Sequence, residues 1–93
     1  MYASVRQYRS SDVAEVTRRA QEGFIPIVRE IEGFSAYYFV DGGDGSLITI
    51  TLGDDQAAVE ESVSKAGEWV SANAAELIEG TPTVTNGEVV AQA

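Results

Sequence analysis

Along this chain of 93 residues the spacing of apolar side chains switches between two periods, and the order of the switches admits few folds. Residues Tyr2 to Arg9 alternate, with Ala3, Val5 and Gln7 on one side and Tyr2, Ser4, Arg6 and Tyr8 on the other. Period two with β-branched and aromatic residues predicts a strand. Ser10-Ser11-Asp12 then supplies helix-capping chemistry, Asp12 with Glu15 fitting a capping box. Val13, Val16, Ala20, Phe24, Ile27 and Ile31 follow at helical intervals. Pro26 has no amide to bond the carbonyl of Glu22, so a kink or break is expected there, and Gly33 suits a helix C-terminus. Phe34 to Val40 and Leu47 to Leu52 read as two strands joined by the glycine-rich turn Asp41 to Ser46. Asp54 and Asp55 cap a second helix with a stripe of Val59, Val63, Ala66, Val70, Ala74 and Leu77, which Gly80 and Pro82 stop. Thr83 to Ala91 reads as a last strand, kinked or bulged at Gly87 unless Asn86-Gly87 turns a small hairpin.

The order βαββαβ, in one domain spanning residues 1–93, predicts an α+β, ferredoxin-like fold: a four-stranded antiparallel sheet with two helices on one face. If Asp41 pairs with Ser46, Phe39 faces Ile48 and Tyr37 faces Ile50. The apolar set Tyr37, Phe39, Ile48, Ile50 and Leu52, with Val5 beside it, is then expected under the helices. Arg6, Tyr8, Tyr38, Thr49 and Thr51 would lie on the uncovered face, among Val40 and Leu47. A mixed face of that kind suits a partner sheet and an enclosed cavity better than open water, and a chain this small gains from association. A homodimer is the expectation.

Composition removes several chemistries. The chain has no cysteine and no histidine, so thiolate catalysis, thiolate metal sites, disulfides and the commonest general base are absent. The formal net charge is -9, and ten acids against Lys65 alone follow Gly33. Such acidity argues against nucleic acid and anionic membrane as partners and favours solubility. No apolar run is long enough to span a bilayer and the N-terminus has no signal-peptide core, so a cytoplasmic protein is expected. Asp41-Gly42-Gly43-Asp44-Gly45 lacks the ligand spacing of a calcium loop and joins two strands instead of opening a helix, so it reads as a hairpin and no metal site is assigned.

The strand-helix opening, Ile31-Glu32-Gly33-Phe34, the Tyr37-Tyr38-Phe39 strand, the glycine-rich hairpin and Asp54-Asp55-Gln56-Ala57 together resemble the dimeric α/β-barrel superfamily, in its antibiotic-biosynthesis-monooxygenase-like branch. The resemblance implies a homodimer whose sheets close into a barrel. It also implies a pocket between each sheet and its helices, or inside the barrel. Some members oxygenate aromatic polyketides without metal or flavin, and others degrade haem. The absence of histidine counts against haem, and no cofactor is expected.

The candidate ligand-binding residues are Arg6, Tyr8, Tyr38, Thr49, Thr51 and Trp69. Arginine would hold an anionic or phenolic ligand, and hydroxyls would orient it in an otherwise apolar cavity. The same polar set also suits hydrogen bonds across a dimer interface, and Trp69 suits a core position. No nucleophile–base pair stands out. Two functions follow: a small-molecule-binding homodimer acting on an aromatic or polyketide-like compound, as a cofactor-free oxygenase or isomerase, and a non-catalytic dimerisation module.

Overall fold

A computed structural model describes residues Met1–Ala93. The elements follow in the order β1 (Tyr2–Ser10), α1 (Val13–Gly23), α2 (Ile25–Val28), β2 (Phe34–Gly43), β3 (Ser46–Gly53), α3 (Gln56–Asn73), a 3₁₀ turn (Ala75–Leu77) and β4 (Ile78–Glu88). The sheet order is β2-β3-β1-β4 and all three pairings are antiparallel. This is the expected ferredoxin-like sheet.

The helices start where the capping residues place them. Asp12 accepts a hydrogen bond from the Glu15 amide at 3.1 Å, and Asp55, not Asp54, accepts one from Ala58 at 2.9 Å. The Glu15 side chain does not reach back to close the box. It pairs with Arg18 and Arg19, which holds its carboxyl down at about 2. The predicted break occurs at Phe24: Pro26 sits in the first turn of α2, where an amide would have no partner within the helix. The break changes the phase of the buried stripe, so Val28 is buried and Ile27 is exposed. Gly23 lets α1 close on α3, since a Cβ there would lie 3.0 Å from Trp69 Nε1. Phe24 is the hub of the core, edge-on to Tyr37 at 5.4 Å and tilted against Trp69 at 5.8 Å.

The hairpin departs from expectation by one residue, with large effect. The β2–β3 turn is the two-residue Asp44-Gly45, with φ of 52° and 80°, so both central residues adopt the left-handed conformation that matches strand twist. Gly43 pairs with Ser46, but the next pair is Asp41 with Leu47, so Gly42 is bulged out. Asp41 Oδ1 accepts from the Gly43 amide at 2.9 Å and braces the bulge. Tyr37 therefore opposes Thr51 and Phe39 opposes Thr49, not Ile50 and Ile48. Because side chains alternate with period two, this single step exchanges the faces of β3 and β1 relative to β2.

The covered face is thus Ser4, Arg6, Tyr8, Leu47, Thr49 and Thr51, together with Tyr37 and Phe39. Tyr37 and Phe39 face inward and Tyr38 and Val40 outward as expected, but Val5, Ile48, Ile50 and Leu52 lie on the helix-free face, the reverse of the sequence expectation. Three smaller corrections follow. Gly80 and Pro82 do not stop α3. They lie in β4, where residues 80–82 bulge opposite Tyr8, and Pro82 is tolerated because β4 is an edge strand. Asn86 and Gly87 stay in regular pairing with Ser4 and Ala3 and form neither bulge nor turn. In α3 the buried stripe is Ala58, Val59, Ser62, Ala66 and Trp69, rotated about one residue from the expected one.

Deleting Gly42 removes the bulge and forces either Tyr37 and Phe39 or Thr49 and Thr51 onto the wrong face. The expected result is loss of cooperative thermal unfolding with dye-binding apolar surface exposed. A soluble variant with a sharp, unshifted transition would show that the bulge does not set the faces.

Candidate functional site

Three rungs of the sheet build the floor beneath the helices. Ser4, Thr51 and Tyr37 form the first, Arg6, Thr49 and Phe39 the second, and Tyr8 with Leu47 the third. From above, α3 contributes Ser62, Ala66 and Trp69, and α1 contributes Val16 and Ala20, continued by Phe24.

At the centre is Arg6, only 2% exposed. Its Nη2 donates to Tyr37 Oη at 2.8 Å and, more weakly, to Thr51 Oγ1 at 3.4 Å. Thr51 in turn lies 3.3 Å from Ser62 Oγ, tying the sheet to α3. The guanidinium carbon stands 5.8 Å from the centre of the Tyr37 ring. Arg6 Nε, Ser4 Oγ and Thr49 Oγ1 are buried without a hydrogen-bond partner. Burial pushes the Tyr37 phenol up from its ordinary value of 10.0, and the charge of Arg6 opposes that rise.

Beside this cluster Tyr8, Phe24, Tyr37, Thr49 and Trp69 line a half-open space of about 20 Å³, enough for one water. An open groove of about 460 Å³, the size of a small-molecule site, runs along β2 between Thr17, Gln21, Arg29 and Tyr38. Tyr37 and Phe39 belong to both spaces and form the wall between them.

The structure thus brings five of the six sequence candidates, Arg6, Tyr8, Thr49, Thr51 and Trp69, to one side of the sheet. That side is the helix-covered one, contrary to expectation. Tyr38 is turned away on the opposite face, 54% exposed, because β2 carries the odd-numbered Tyr37 and Phe39 inward. Tyr37 takes its place beside Arg6. Ser4 and Ser62 were not nominated from sequence. Ser62 was legible only as a polar residue at a helix position that faces the sheet once α3 is rotated.

Comparison of the sequence with models of protein families and with curated proteins finds no match. Solved structures do match. A protein of unknown function from Nitrosomonas europaea superposes with a TM-score of 0.81 at 18% identity, over 99% of this chain and 91% of that one. A monooxygenase of Streptomyces coelicolor, crystallised with nanaomycin D, gives 0.78 at 15% identity, over 99% and 90%. The chain has the fold of the antibiotic biosynthesis monooxygenases. SnoaB, a cofactor-independent oxygenase from Streptomyces nogalater, gives 0.75 at 16% identity, over 98% and 94%. At these identities the likeness is one of fold. Neither the Arg6–Tyr37 pair nor any other side chain is transferred by it.

The Tyr37 environment sets an alkaline limit on stability. Below pH about 10 the phenol is neutral in folded and unfolded chains alike. Above it the unfolded chain ionises while the fold holds the proton, so stability falls as pH rises through the folded value. Tyr37→Phe is expected to flatten this alkaline limb, read as thermal midpoints from about pH 9 to 11. An unchanged slope would place the alkaline loss elsewhere.

Proposed function

We propose that the protein binds a small aromatic, polyketide-like molecule between its helices and its sheet, as a homodimer, and oxygenates it without metal or flavin. The observation that carries this reading is the polar floor of Arg6, Tyr37, Thr49 and Thr51 under aromatic walls, next to a groove of ligand size. Similarity of fold to a monooxygenase bound to nanaomycin D and to a cofactor-independent oxygenase supports the chemical class. The absence of histidine and cysteine leaves no imidazole or thiolate to hold a haem. In the simplest balanced reaction a ring methylene and dioxygen give a ring ketone and water, the substrate supplying the electrons. The protein's part is to hold an electron-rich ring against Trp69 and Phe24, fix its oxygens on the polar floor and exclude water.

The homodimer rests on the helix-free face. Val5, Tyr38 and Val40 are 40%, 54% and 41% exposed and continue into half-buried Ile48, Ile50 and Leu52. A contiguous apolar face of this kind marks an association surface. Light scattering at micromolar concentration is expected to give twice the 9.9 kDa chain mass. Ile50→Glu should give the single-chain mass. A monomeric wild type would remove the dimer from the proposal.

Trp69 is the only tryptophan and lines the inner space, so its fluorescence reports occupancy directly. Phenolic and quinone-forming ligands are expected to quench it and to raise the melting temperature. Ala66→Leu, which overfills the space from α3, should abolish both effects at a cost of about 1–3 kcal/mol in stability. Oxygen uptake with a dihydroxylated anthrone in the presence of a chelator tests the catalytic half. The small inner space favours a second reading, a dimerisation module that takes no ligand. That reading holds if neither quenching nor a thermal shift occurs across the series.

A further inference from the structure

We propose that Arg6 is the receptor for an anionic oxygen of the ligand, an aromatic phenolate or carboxylate. The inference rests on the cavity reading above and specifies the charge of what enters it.

The four ion pairs of the chain belong to Arg18 and Arg19, both on the surface of α1, and Arg6 takes part in none. Yet Arg6 is the charged residue most deeply buried, in a chain whose net charge is -9. The side chains that meet it from β1, β2, β3 and α3 are Ser4, Tyr37, Thr49, Thr51 and, through Thr51, Ser62. None is a carboxylate. A guanidinium removed from water without a counter-ion is unfavourable, and an apolar side chain of similar length would fill the same volume without that penalty. A purely structural role therefore does not account for an arginine at this position.

The donors are disposed for an acceptor. Nη2 is spent on Tyr37 and Thr51, whereas Nε is buried with no acceptor. Ser4 Oγ and Thr49 Oγ1, unpartnered as well, flank Arg6 along the strand and across it. Because Tyr37 Oη accepts from Arg6, its own proton remains free, and the adjacent positive charge makes it a stronger donor. Tyr37 and Thr49, with Tyr8, are also the hydroxyl-bearing residues that line the inner space, and Arg6 lies behind that lining. An oxyanion arriving past Phe39 meets the Tyr37 and Thr49 hydroxyls first, with the guanidinium behind them.

The test uses three probes with one ring: 4-nitrophenol, 4-nitrobenzoate and the uncharged ether 4-nitroanisole, each titrated against the intact protein by Trp69 quenching. At least one anion is expected to bind about tenfold or more tighter than the ether. Bound nitrophenol is expected to show its phenolate absorption about one pH unit below its free pKa. Which anion wins distinguishes phenolate from carboxylate. Arg6→Met should equalise anion and ether while leaving the melting temperature unchanged or raised. Ether bound as tightly as both anions by the wild type, with no spectral shift, overturns the anion receptor and leaves the cavity reading standing. Failure of all three probes overturns the cavity reading itself. An Arg6→Met protein that melts far lower and loses the ether too would make Arg6 a structural residue. If that variant does not fold, the absorption of nitrophenol bound to the wild type decides.

Discussion

The offset between β2 and β3 is the constraint on which the rest of the structure depends. A two-residue turn with two positive φ angles closes the hairpin, and one bulged glycine shifts the pairing behind it. Without that residue, Tyr37 and Phe39 could not share a face with Thr49, Thr51 and Arg6. Everything assigned to the site follows from that sharing. The aromatic wall comes from β2, the hydroxyl floor from β3 and the charge from β1. The shift costs little locally, since Gly42 and Gly43 have no side chains to misplace and Asp41 ties the bulge down.

The consequence is an inverted sheet. Its more aliphatic side, with Val5, Ile48, Ile50 and Leu52, has no helix over it. Its more polar side is sealed under Phe24, Trp69 and Val59. An isolated chain gains nothing from this arrangement: it exposes apolar surface and desolvates a guanidinium and several hydroxyls. The two halves of the arrangement make sense together if another sheet covers the first side and a polar ligand group meets the second.

Much of this was legible in the residues. Asp12 and Asp55 announced the helix starts, Pro26 the break, and Asp44-Gly45 a turn, because each acts through its own backbone and its nearest neighbours. That Arg6, Tyr8, Thr49 and Thr51 share one side of the sheet was legible too, from strand parity. The faces of β1 and β3 were not legible. Apolar content marks the covered side only when one side of a sheet is buried. In β2 the expected faces hold, with Tyr37 and Phe39 inward and Tyr38 and Val40 outward; it is β1 and β3 that present the opposite sides to them.

The sequence alone determined the order of strands and helices, the lack of imidazole and thiol chemistry, and the short list of polar side chains from which a site could be made. These depend on local conformational preference and on composition, which need no knowledge of distant neighbours. Only the tertiary structure decided that Arg6 lies beneath the helices, that Tyr37 is its partner, and that Trp69 closes the opposite wall. Those facts hang on a pairing between strands joined through a single bulge. With a side-chain period of two, an error of one residue in that pairing reverses inside and outside.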